Sequence, residues 1–143
     1  VITARHIMKP CIIALRRHTT LAHAAELLTM HHVGQAPVVS ADGAVVGMIH
    51  ELDLVDVLFD AAAKDMLVSD RMTTEVYVVG PEESLPRVAQ LFALCSCQQI
   101  VVVENGKLVG AVTCRDLLNH SLRTGEILTE PLVELIPSLA PIT

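Results

Sequence analysis

The chain carries one pattern twice. Gly47-Met48-Ile49-His50-Glu51-Leu52-Asp53 and Gly110-Ala111-Val112-Thr113-Cys114-Arg115-Asp116 each read as Gly, two apolar residues, a polar residue, two variable residues and Asp. The match extends beyond the motif. Met8 pairs with Met72 and Leu21 with Leu85 at a spacing of 64, while Asp42-Gly43 pairs with Asn105-Gly106, and Asp53 with Asp116, at 63. One residue gained before the Asp-Gly turn accounts for the change. A repeat of this length is one supersecondary unit used twice. Its expected product is a pseudo-two-fold pair with two related clefts, an arrangement for binding rather than covalent chemistry.

Each copy shows the same course of elements. In the first, Cys11–Leu15 reads as a strand, Thr19-Thr20 as a hydroxyl cap, and Leu21 to about His31 as a helix with Leu21, Ala24, Ala25, Leu28 and His32 on one stripe. Gly34 is expected to end that helix. Ala36–Ser40 and Val45–Ile49 form a hairpin about Asp42-Gly43. A second helix is expected over Glu51–Ala63, with Leu52, Val55, Leu58 and Phe59 as its apolar face. In the second copy, Val76–Val79 is a strand, and Ser84 opens a helix that tolerates Pro86 in its first turn. Ile100–Val103 and Lys107–Val112 follow as strands about Asn105-Gly106, and Cys114 to about Leu122 is the last helix. The expected fold class is α+β: two tandem β-α-β-β-α repeats packed as a pseudo-two-fold pair.

The expected organisation is residues 1–63 as the first repeat, 64–70 as a linker, 71–122 as the second repeat and 123–143 as an apolar tail. Units of about 60 residues are marginal alone, so the halves are expected to share a core as one module. The tail carries Ile127, Leu128, Leu132, Val133, Leu135, Ile136 and Leu139, and Pro131, Pro137 and Pro141 keep it from forming a long helix. Such a tail must cover apolar surface, a second subunit among the choices.

Charge and composition exclude several classes. A net charge of −6 without a basic stripe argues against nucleic acid, as does an aromatic content of 2%, which removes stacking platforms. Hydrophobic residues make up 52%, yet no run approaches the ~18 apolar residues of a membrane span. Cys11, Cys95, Cys97 and Cys114 lack a secreted disulfide spacing and no signal peptide is visible, so a reducing, cytoplasmic setting is expected.

The order of elements, the doubled copy and the Gly-x-x-Thr-x-x-Asp stretch resemble a pair of CBS (cystathionine-β-synthase) domains over about residues 3–122. The resemblance implies a cleft between the repeats that accepts adenosine compounds, with AMP, ADP, ATP and S-adenosylmethionine as the ligands to test and no other cofactor. In the second copy, it implies Asp116 on the ribose hydroxyls, Thr113 beside phosphate, Thr74, Val76 and Tyr77 beside adenine, and Ile100 as the apolar wall. Arg115 would neutralise phosphate charge. It also implies pairing into a homodimer.

Independent physics agrees. Thr113 stands where a strand becomes a helix, so free backbone N–H groups there attract an anion. A carboxylate can accept both hydrogen bonds of a vicinal diol. Thr-x-x-Asp at a helix start also reads as a capping box that binds nothing. The first copy departs from the pattern. His50 replaces the hydroxyl residue and Glu51 follows it, so phosphate is disfavoured there. Asp53 could still hold a ribose, Lys9 could supply charge, and Ile12, Ile13 and Ala36 could line a base pocket. His50 is also a candidate pH switch.

Neither a catalytic triad nor a phosphate loop stands out, and no enzymatic activity is expected. His31-His32 and Cys95-Ser96-Cys97 stand at equivalent places in the two copies. Core or surface roles explain them more simply than a metal. The reading is a regulatory module in which an adenosine-containing ligand shifts the angle between repeats or subunits. The alternatives are an assembly module with empty clefts and a metal or thiol sensor.

Overall fold

The structure is a computed structural model in which residues 2–125 are described. The chain divides into two compact units that do not follow the repeat boundaries. Described residues up to Pro10 join those from Tyr77 onward, and Cys11–Val76 form the other unit. Each copy's opening segment therefore belongs to the unit built on the other copy. The buried residues group into two cores, one per unit, where the size of the repeats suggested a single shared one.

In the Cys11–Val76 unit, helix α2 (Leu21–Met30) opens on Thr20, whose hydroxyl accepts from the His23 N–H at 3.1 Å. Its stripe of Leu21, Ala24 and Leu28 is buried. The helix ends at His31, and His32 takes a left-handed φ of 54° in place of the stop expected at Gly34. Strands β1 (Gln35–Val39) and β2 (Val45–His50) pair antiparallel. The expected strand at Cys11–Leu15 contracts to one parallel bridge from Leu15 to Val38, because only the amide and carbonyl of Leu15 reach β1. Met48 bridges Thr73 on the other edge.

The second unit repeats this plan. Helix α1 (Ala4–Ile7), a single turn too short for apolar periodicity to announce, precedes a bridge between Lys9 and Ala111. Strand β3 (Val78–Val79) is parallel to β4 (Gln99–Glu104), which is antiparallel to β5 (Lys107–Thr113). Helix α3 (Leu85–Cys95) has Pro in its first turn, and α4 (Cys114–Thr124) follows β5 directly. At the hairpin, Asn105 and Gly106 both take positive φ, 54° and 77°, as a tight two-residue turn demands.

The largest departure lies after β2. The helix expected over Glu51–Ala63 is two 3-10 stretches, Glu51–Leu58 and Ala61–Asp65. Asp60 divides them by accepting from the Ala62 N–H at 2.9 Å and capping a fresh start. Asp and β-branched residues here are weak α-helix formers. With three residues per turn, i and i+3 eclipse. Leu54 and Val57 then share the face turned to the core, while Leu52, Val55 and Leu58 share the other. Leu52, Leu58 and Phe59, expected as the buried face, are 81%, 77% and 83% exposed.

The expected linker is packed structure. Val68 is fully buried, its N–H donates to the Thr19 carbonyl at 2.7 Å, and the Leu21 N–H donates to the Met66 carbonyl at 2.8 Å. Helix α4 extends through Thr124, two residues into the expected tail, and Gly125 caps it; the tail from residue 126, with its proposed subunit contact, lies outside the described residues.

Candidate functional site

The motif's glycine and the repeated methionine form a matched contact. A Cβ at Gly110 would meet the Lys9 carbonyl at 2.9 Å and Met8 Sδ at 3.3 Å; at Gly47 it would meet Met72 Sδ at 2.7 Å and the Thr73 carbonyl at 2.9 Å. Bare glycine lets the opening segment lie against the strand. Lys9 is thereby held beside β5, its N–H donating to the Ala111 carbonyl at 3.0 Å and its carbonyl accepting from the Ala111 N–H at 2.9 Å.

The polar end of the motif starts α4. Thr113 Oγ1 accepts from the Asp116 N–H at 3.1 Å, and Asp116 Oδ2 accepts from the Thr113 N–H at 2.9 Å. This is a reciprocal capping box. The other carboxylate oxygen, Oδ1, lies 3.1 Å from Lys9 Nζ. The Asp116 side chain is 8% exposed and that of Lys9 72%, so the cation reaches in from solvent to a sheltered anion. Burial pushes the Asp116 carboxyl up. The N–H of Thr113, the Lys9 ammonium and the Thr113 hydroxyl outweigh that and hold it below its ordinary value. Arg115, one residue earlier, is exposed.

A depressed carboxyl stabilises the fold above its ordinary range, near pH 4, and loses that contribution as pH falls through its folded value. Thermal stability is therefore expected to fall in acid, and Asp116→Asn should flatten that part of the profile. An unchanged acid limb in the variant would show that the carboxylate carries none of it.

The remaining expected residues divide sharply. Tyr77 is partly exposed in the same unit. Ile100, expected as the adenine wall, is fully buried in the core with Val79, Leu85, Val102 and Val112 and offers a ligand no surface. Thr74 and Val76 belong to the other unit, Thr74 exposed and Val76 buried. Of the second set, Asp53 Oδ2 accepts from the His50 N–H at 2.8 Å, with His50 Nδ1 at 3.6 Å. Ile12 is exposed and Ile13 partly so, but Ala36 lies in the core and cannot line a pocket. Lys9, expected beside Asp53, belongs instead with Asp116, because its segment bridges β5. No local sequence signal announces that exchange.

Elsewhere, burial pushes the Cys11, Cys95 and Cys97 thiols up. Among the described residues no group of three His, Cys, Asp or Glu is placed to hold a metal ion. None of the described helices is long and apolar enough to cross a membrane.

Two copies of one α+β unit, each with a Gly-to-Asp motif at a strand-to-helix junction, define a tandem-repeat module. The chain belongs to the CBS domain family, whose model matches residues 4–60 and 64–123. It is 30% identical over 114 residues to the uncharacterized protein MJ1225 of Methanocaldococcus jannaschii, a match covering 80% of this chain but 41% of that one. It is 34% identical over 100 residues to the CBS domain-containing protein YhcV of Bacillus subtilis, covering 68% and 70% of the two. The solved structure of CBSX2 in complex with AMP aligns with a TM-score of 0.78 at 25% identity, covering 88% of this chain and all of that one.

Proposed function

We propose that this CBS pair is a regulatory sensor that binds an adenosine nucleotide in the cleft between its repeats. Occupancy is transmitted as a change in the angle between repeats or between the subunits of a homodimer. Asp116 takes the ribose hydroxyls, Thr113 and Arg115 attend the phosphate, and Thr74 and Tyr77, which keep exposed surface where Val76 does not, lie beside the base. The observation that carries this reading is the Asp116 carboxylate. It is sheltered, ionised and oriented by backbone, while among the described residues its second oxygen is met by the Lys9 ammonium, whose side chain is 72% exposed. The Lys9 end of the pair is open to water, which screens its hold on the carboxylate. The AMP complex of CBSX2 supports the ligand class.

The test is thermal unfolding with AMP, ADP, ATP and S-adenosylmethionine. At a hundredfold excess over Kd the expected gain is about 2.7 kcal/mol. Asp116→Asn, which keeps an acceptor for the cap, should remove the gain; its own unliganded melt, lowered at neutral pH by loss of the carboxylate's contribution, is the baseline for that comparison. A flat response to all four would favour the second reading, an assembly module, to which the exposed Leu52, Leu58 and Phe59 lend support.

A further inference from the structure

We infer that Lys9 makes the Asp116 site selective for phosphorylated adenosine ligands, by changing partners when the ligand enters. The inference rests on the nucleotide reading of that site and names its ligand class.

Lys9 is fixed at its backbone and exposed along its side chain. Two hydrogen bonds to Ala111 clamp the main chain two residues before Thr113. The side chain then crosses to the first turn of α4. That turn is the positive end of the helix dipole, and Arg115 already stands there. A second cation in that place is disfavoured, modestly where water reaches it, and gains from an anion beside it. Without ligand, the anion is Asp116, through Oδ1.

The same oxygen is the more open to a ribose, since Oδ2 already accepts the Thr113 N–H. Diol and ammonium therefore compete for it. A nucleotide resolves the competition, because its phosphate replaces the carboxylate as partner of Lys9. A neutral nucleoside leaves the ammonium weakened at the positive end of a helix. A sulfonium ligand adds a further cation. The first copy lacks this device. Thr73, which bridges Met48 as Lys9 bridges Ala111, brings no charge, and Glu51 opposes phosphate.

Titration calorimetry on the full chain with AMP, adenosine and S-adenosylmethionine tests this, using wild type, Lys9→Gln and Lys9→Arg. Wild type should prefer AMP to adenosine and adenosine to S-adenosylmethionine. Lys9→Gln should weaken AMP on the order of tenfold, as loss of one charge-assisted hydrogen bond does, and leave adenosine unchanged or tighter. Lys9→Arg should keep the wild-type order. Added salt should weaken AMP less in Lys9→Gln than in wild type. An unchanged AMP-to-adenosine ratio in Lys9→Gln, whether both affinities hold or both fall together, overturns the selectivity. Failure of wild type to bind any of the three removes the nucleotide reading itself, and this inference with it.

Discussion

Ile100→Ala is expected to destabilise the chain by about 2–5 kcal/mol, the range for truncating a buried aliphatic side chain to alanine. Ile100 is fully buried on β4, the central strand of its sheet, and packs in one cluster with Val79, Leu85, Val88, Val102 and Val112. Removing three carbons there forfeits transfer free energy and leaves a cavity that strands on both sides keep from collapsing. Urea unfolding without ligand should show a lower midpoint at unchanged slope. The choice of residue is diagnostic. A side chain that walled a ligand would cost affinity and little stability. Should the variant unfold at the wild-type midpoint yet bind AMP poorly, the core assignment would be wrong.

Gly47→Ala and Gly110→Ala are the second pair, each expected to cost about 1–3 kcal/mol by overpacking. In both, a new methyl carbon lands 2.9 Å from a carbonyl oxygen, that of Thr73 or of Lys9. Those carbonyls are tied by the bridges Met48–Thr73 and Lys9–Ala111, so they cannot retreat cheaply. The methionine contacts are softer, because a thioether chain can rotate away. Adding Met72→Ala to Gly47→Ala should therefore recover only a minor part of the loss. Full recovery would mean that the sulfur, not the backbone, sets the close approach. Thermal melts of the single and double variants decide it.

Much of this architecture is legible in the residues. Asp-Gly and Asn-Gly turns between short apolar runs located both hairpins, cap residues and a helical stripe located helices α2, α3 and α4, and the spacing shift from 64 to 63 put one extra residue in the first copy before Asp42-Gly43. The junction at Thr113 and Asp116 is legible because a hydroxyl and a carboxylate three apart satisfy a helix start whatever surrounds them. What escaped was set at a distance or by a change of pitch. Leu52, Leu58 and Phe59 fit an apolar stripe at 3.6 residues per turn; the chain winds at three, and the stripe turns outward. Ile100 and Ala36 sit on strands beside the motif, and only packing tells a pocket wall from a core residue. Lys9 lies 44 residues before Asp53 but 107 before Asp116 (53−9 and 116−9), so proximity in sequence pointed the wrong way.

The crossed allegiance of the opening segments governs how this gene can be dissected. A fragment cut at the repeat boundary would carry an arm with no sheet to dock on, and its own sheet would show a raw edge where Thr73 should lie. Such an edge invites pairing with another molecule. Two identical fragments could heal each other only by trading arms, the route by which swapped dimers form. Duplication within one chain makes that trade internal, so that neither half has to find a stranger to be whole.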